Sequence, residues 1–102
     1  MNNITLEDVS FTNHFINDRQ HRGIRKDLIR ELLRWGEFYF DKHNARVYYF
    51  TDKSFHNMKS NGATVQEVEK LKKKKAVRLV VSNDNVVITA MYANKKRKRI
   101  YH

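Results

Sequence analysis

AVRLVVS, NDN and VVITAMY, residues 76–92, decide the fold. Two runs rich in β-branched residues flank three polar ones, the pattern of an antiparallel hairpin closed by a short turn. Both runs are almost continuously apolar, so both strands are expected inside a sheet rather than at its rim.

Immediately upstream, Thr64 and Glu67 form a capping box, in which the threonine oxygen takes the Glu67 N–H and the glutamate reaches back. The helix it opens carries Val65, Val68 and Leu71, then runs into Lys72 to Lys75, whose charges suit the negative end of the helix dipole. Asp52 to Asn61 reads as another helix, with Phe55 and Met58 on one side and Asn61-Gly62 as its stop. EFYFDKHNARVYYFT, residues 37–51, is dominated by aromatic and β-branched residues that HNAR interrupts, and predicts a second hairpin. Before it, Ile24, Leu28, Leu32 and Trp35 recur at spacings of four, four and three, widened by Ile29 and Leu33. That is the stripe of a buried helix, with Arg30 and Arg34 on another face and Gly36 closing it. Further upstream, Ser10 or Thr12 is expected to cap a helix bearing Phe11, Phe15 and Ile16, which ends at Gly23. Ile4, Leu6 and Val9 lie in a short strand or N-terminal arm.

Helices and hairpins without regular β-α-β alternation indicate an α+β domain. The expectation is N-terminal helices packed on a curved antiparallel sheet over residues 1–94, followed by a basic tail, residues 95–102.

The 102-residue chain has 21 Lys and Arg against 11 acidic residues, a net charge of +10. A polyanion is the natural partner, nucleic acid first, with an anionic membrane surface or a mere solubility tail as rivals. The absence of cysteine excludes disulfides, thiol nucleophiles and cysteine-bound zinc. MNNITLEDVS lacks the charged and apolar regions of a signal peptide, and no window approaches the ~20 apolar residues of a membrane span. The expectation is a soluble, cytoplasmic protein with no membrane partner.

His14 and His21 fall two helical turns apart, about 10.5 Å at 1.5 Å per residue, too far to share one metal ion. Asp52 and His56 have a helical i, i+4 spacing but make only two ligands. No glycine-rich phosphate loop occurs, and no glycine elbow surrounds a serine, so triphosphate hydrolysis and acyl transfer lack support. No cofactor or metal is called for. Metal-free cleavage of RNA needs a base, an acid, cations on the phosphorane and a flat surface for a nucleobase. His14, His21, His43 and His56 offer proton transfer; Arg19, Arg22 and Arg46 offer charge; Tyr48, Tyr49 and Tyr92 offer stacking. Each also has a plain structural reading. His14 suits a half-buried helix position hydrogen-bonded to a carbonyl, Arg22 suits a bond to the last carbonyls of its helix, and Thr89 suits a strand. Tyr48 and Tyr49 point to opposite faces, so one belongs to the core. Lys72 to Lys75 suit a solvated turn, whereas Lys95, Lys96, Arg97, Lys98 and Arg99 follow a central strand and suit contact with phosphate.

His14, then Arg22-Gly23-Ile24, then KDLIRELLRWG, VYYFTDKSF and VVSNDNVVITAMY, together resemble a family of small bacterial and phage domains of unknown function. That family is grouped with the barnase, EndoU, colicin and RelE ribonuclease-like fold. The resemblance spans roughly residues 10–92. It implies a metal-independent, RNA-cleaving toxin or a non-catalytic relative. His14 and Arg22 match the family's N-terminal motif, Tyr48 or Tyr49 its strand tyrosine, and Thr89 and Tyr92 its closing strand. Two positions depart from the pattern: Asp18 stands where an arginine is usual, with Arg19 one step along, and Phe15 where a small residue is usual.

The functional expectation is therefore a small RNA-binding, ribonuclease-like toxin acting by 2′-OH attack on the adjacent phosphate. His14 is the expected base or acid, Arg22 and the tail the phosphorane-stabilising cations, and a tyrosine the stacking group or proton source. An acidic antitoxin or immunity protein is the expected partner besides RNA. The alternatives are a nucleic-acid-binding module without catalysis, or a phage-type protein whose basic face docks an acidic host protein.

Overall fold

The structure is a computed structural model and describes residues 4–17 and 24–93. The expected exit at Gly23, the positions of Arg19, His21 and Arg22, and the tail from Lys95 lie outside the described residues. A 3₁₀ turn, Leu6–Asp8, leads into β1, Ser10–Phe11, and the short helix α1, Asn13–Asn17. Then come α2 (Lys26–Trp35), β2 (Glu37–Phe40), β3 (Arg46–Tyr49), α3 (Asp52–Ser60), α4 (Val65–Lys72), β4 (Val77–Val81) and β5 (Val86–Tyr92). The architecture is α+β, with a five-stranded sheet in the order β1-β5-β4-β3-β2.

The two hairpins form where the sequence predicts them, and one device builds both. At β2–β3, Asn44 donates its N–H to the Asp41 carbonyl and adopts φ 66°. At β4–β5, Asn85 does the same to Ser82 at φ 63°. Each loop is a three-residue turn whose last residue sits in the left-handed region, where asparagine is tolerated. The residue entering each loop ties it from the side chain. Asp41 Oδ1 accepts from the N–H groups of His43 and Ala45, and Ser82 Oγ from those of Asp84 and Val86.

The sheet is mixed, which corrects the antiparallel expectation. β1 runs parallel to β5, with Ser10 opposite Val86 and Phe11 opposite Val87. Ser10 N–H bonds to the Asn85 carbonyl and Thr12 N–H to the Val87 carbonyl, occupying the side of β5 that β4 leaves open. A two-residue strand has no period to read. It also corrects the first helix: Phe11 belongs to β1, and α1 starts after Thr12, whose Oγ1 accepts the Phe15 N–H at 3.0 Å. Thr12 is thus the cap. Ile16 is exposed, while Phe15 is buried.

The remaining helices start and stop on chemistry visible in the chain. Thr51 caps α3 by accepting the Ser54 N–H. At its end, Gly62 (φ 100°) donates to Lys59 and Ala63 to Met58, the paired bonds of a Schellman motif. Thr64 and Glu67 exchange the two bonds of the predicted capping box, at 3.1 and 2.8 Å. Gly36 closes α2 because a Cβ there would meet the Leu32 carbonyl oxygen at 2.5 Å and that of Tyr49 at 3.0 Å. The chain passes from α2 into β2 at a point where only a bare backbone fits.

One core joins the layers. Leu28, Ile29, Leu32 and Leu33 of α2, Phe55 and Met58 of α3, Val68 of α4 and Phe15 of α1 cluster with Tyr48, Val77, Leu79, Val81, Val87 and Ala90 of the sheet. Val65 is exposed, so α4 contributes a narrower stripe than its sequence suggests. Across β4–β5 the register places Val80 opposite Thr89 but Val81 opposite Val87. Ile88 is therefore the extra residue of a β-bulge, which bends β5. A smaller apolar group, Ala45, Val47 and Val80, lies on the other face of the sheet.

Candidate functional site

The alternation of β3 separates its two tyrosines. Tyr48 faces the core, 2% exposed, with its ring 5.2 Å from that of Phe38. Its hydroxyl is buried without a hydrogen-bond partner. Burial pushes its pKa above the ordinary tyrosine value, with Arg46 pulling the other way. Tyr49 faces outward. Its ring lies 5.7 Å from Tyr39, and the Arg78 guanidinium lies over it at 4.8 Å.

Arg46 has a structural occupation. Its guanidinium donates to the Ser82 carbonyl at 3.3 Å and to Asn85 Oδ1, clamping one hairpin to the turn of the other. Tyr92, about half exposed, sits at the far end of the same strand pair. It is opposite Val77, while Arg46 is opposite Val81. Four residues of strand separate those levels, about 13 Å at ~3.3 Å per residue. Thr89 lies in β5 opposite Val80, on the face that also carries Tyr49. His14 is exposed on α1, a helix packed against β5. Tyr48 thus faces the core, Tyr49 and Thr89 face the outer side of the sheet, and His14 stands on α1, which packs against the strand that carries Thr89 and Tyr92. Arg22, Arg19 and Lys95 to Arg99 lie outside the described residues. Among the described residues no three His, Asp or Glu side chains are grouped as a metal site. No helix among them is long and apolar enough to cross a membrane.

The structure does assemble a cationic site elsewhere. α2 and the α3–α4 pair enclose a groove of ≈ 1010 Å³. Its floor is apolar, including Leu28, Met58, Val68 and Leu71. Its walls carry six basic side chains, Arg25, Arg30, Arg34, Lys70, Lys73 and Lys74, against three acidic ones, Asp27, Glu31 and Glu67. Two of those acids are already engaged. Asp27 pairs with Arg30 at 3.4 Å, and Glu67 is held in its capping box. Among the described residues, Arg25, Lys70, Lys73 and Lys74 form no ion pair, so their charge is available to a ligand. Arg34 lies over the Trp35 ring at 4.9 Å, which brings a guanidinium and a partly buried indole to the same wall.

The local sequence explains the groove. α2 turns a broad apolar stripe and α4 a narrow one to the core, and both leave charged residues along the seam. In α4 only Val68 is fully buried, and Met58, Asn61, Gly62 and Ala63 at the end of α3 line the groove between it and α2. Lys72 to Lys75 fall into two pairs: Lys72 and Lys75 are tied to Glu69 and Asp52, while Lys73 and Lys74 line the groove. The lysine run and the arginine face of α2 are both visible in the sequence. That they face each other is set by how α3 folds back, which no spacing encodes.

No family model, no curated protein and no solved structure matches the chain.

Proposed function

We propose that this chain is a small RNA-binding protein that holds the phosphates of a single strand in the groove between α2 and α4. The carrying observation is the excess of cations there, six basic against three acidic side chains, with Arg25, Lys70, Lys73 and Lys74 in no ion pair among the described residues. Such a groove tracks a phosphate backbone, and Trp35 on its wall offers a stacking surface for a base. The net charge of +10 and the resemblance of the chain to a ribonuclease-like family support RNA as the polyanion. An acidic antitoxin or immunity protein is proposed to compete for the same basic surface.

The ribonuclease reading rests on one structural point, the exposure of His14 on α1. Tyr48 is a poor proton source, because its phenol is enclosed and burial holds its proton. Catalysis is therefore proposed second to binding, with His14 as the group to test.

The experiment is titration of a labelled single-stranded RNA with wild type and with Lys70→Ala/Lys73→Ala/Lys74→Ala across a salt series in EDTA, with products run on a gel. Binding that weakens steeply with salt, and a shallower slope in the triple variant, are expected. Salt-insensitive or absent binding by wild type would remove the proposal. Cleavage that survives His14→Ala would remove that histidine from any catalytic role.

A further inference from the structure

β2 is an edge strand among the described residues, and all four of its residues are exposed. Three are aromatic: Phe38, Tyr39 and Phe40 are 41%, 49% and 60% exposed. Edge strands are commonly blunted with lysine, proline or a bulge, because a free row of backbone groups recruits another strand. Glu37–Phe40 has no lysine, proline or bulge.

The phase of its hydrogen bonding follows from the turn. Asp41 N–H bonds to the Ala45 carbonyl, so Asp41, Tyr39 and Glu37 direct their backbone groups toward β3. Phe38 and Phe40 therefore direct their N–H and C=O groups outward. These two residues flank Tyr39 symmetrically. A two-fold axis through Tyr39 sets Phe38 of one chain opposite Phe40 of another as a hydrogen-bonded pair, and Phe40 opposite Phe38 as a second. Four backbone bonds close with no group left over.

We infer that the β2 edge pairs antiparallel with the β2 edge of a second copy of this chain, joining two five-stranded sheets into one. The side chains agree with the backbone. Phe38 and Phe40 lie on one face, in edge-to-face contact at 5.5 Å, and would cover their counterparts, while the two Tyr39 rings meet on the other face. Charge also selects this partner. Residues 37–43 hold Glu37, Asp41 and Lys42 and are nearly neutral, in a chain of net charge +10. Here two copies approach with little repulsion, and a polyanion has little reason to bind. Glu37 stands opposite Asp41 of the other copy, but each carboxylate is engaged in its own chain, with Thr51 and with the Asp41–Ala45 turn. A contact of four residues per chain is small, so the dimer is weak and reversible.

The chain has no cysteine, which makes cross-linking specific. Tyr39→Cys places two thiols at the two-fold, in a non-hydrogen-bonded pair whose Cα atoms lie ~4.5 Å apart, within disulfide reach. Oxidation of RNA-free Tyr39→Cys is expected to give a covalent dimer, and Phe40→Cys, whose opposite residue is Phe38, little or none. Phe40→Pro removes an outward N–H and leaves the ladder to β3 intact. It is expected to sediment as a 12.3-kDa monomer where wild type shows reversible association toward twice that mass. Wild type that stays monomeric at sub-millimolar concentration overturns the inference. So does Tyr39→Cys that fails to cross-link, or cross-links no better than Phe40→Cys. The proposed groove is lined by α2, α4 and the end of α3 and by no residue of β2, so failure of either proposal leaves the other standing.

Discussion

Tyr48 shows how much one residue's environment decides. Its ring fills the core, and its hydroxyl is dehydrated with no partner. A buried hydroxyl left unsatisfied costs ~1–3 kcal/mol of desolvation, so Tyr48→Phe is expected to hold or raise the free energy of unfolding in urea, by about 1 kcal/mol. A clear loss would mean that the hydroxyl has a partner after all. Asp41 makes the opposite case. The Ala45 N–H foremost holds its carboxyl below the ordinary value of 3.8; desolvation, the next-largest effect, opposes it, and the His43 N–H and the charges of His43 and Lys42 add to the lowering. Because the folded-state value is depressed, its contribution is complete above the ordinary value and is lost as pH falls through the depressed one. Asp41→Asn should therefore flatten the acid limb of a stability-against-pH curve and leave the region near neutrality without added slope. Strand alternation in the sequence shows that one of Tyr48 and Tyr49 is core. Which one depends on the phase of the β2–β3 hairpin, set by the left-handed residue Asn44, and a sequence with two adjacent tyrosines does not reveal it.

Local chemistry made most elements readable. The stripe of α2, the Thr64–Glu67 box, the Asn61-Gly62 stop and both hairpins follow from interactions within a few residues. Thr64→Ala removes one cap and is expected to cost ~1 kcal/mol in thermal or urea unfolding. The paired turns permit a sharper comparison. Asn44 and Asn85 share the left-handed conformation, but only Asn85 accepts a bond from Arg46. Asn44→Gly should leave stability almost unchanged, since glycine adopts that conformation freely, while Asn85→Gly loses a charge-assisted bond of ~1.5–3 kcal/mol. Equal effects would show that Arg46 does not clamp the turn. β1 escaped the sequence because its two residues are strand only through the open side of β5. Phe11 looked helical for the same reason: an aromatic four residues from Phe15 fits a helix stripe as well as a strand followed by a turn.

At the scale of the molecule, net charge pointed to a polyanion but not to where it lies. In the sequence, His14, Arg22, the strand tyrosines and the tail are the expected site. Among the described residues the structure gathers cations between α2 and α4, about 40 positions apart in the chain and adjacent only after folding, while Arg22 and the tail lie outside those residues. The density of basic residues was visible; the meeting of two charged helix faces was not. If the groove holds phosphates, replacing Lys70, Lys73 and Lys74 by alanine should lower the slope of log affinity against log salt by about 2, at ~0.7 per phosphate contact on a single strand. The most direct test follows backbone amide chemical shifts during titration of the ¹⁵N-labelled protein with a short single-stranded RNA. The groove account predicts the largest changes along Arg25 to Trp35 and Lys70 to Lys74. Changes confined to β2, β3 and β5, or none at stoichiometric RNA, would contradict it.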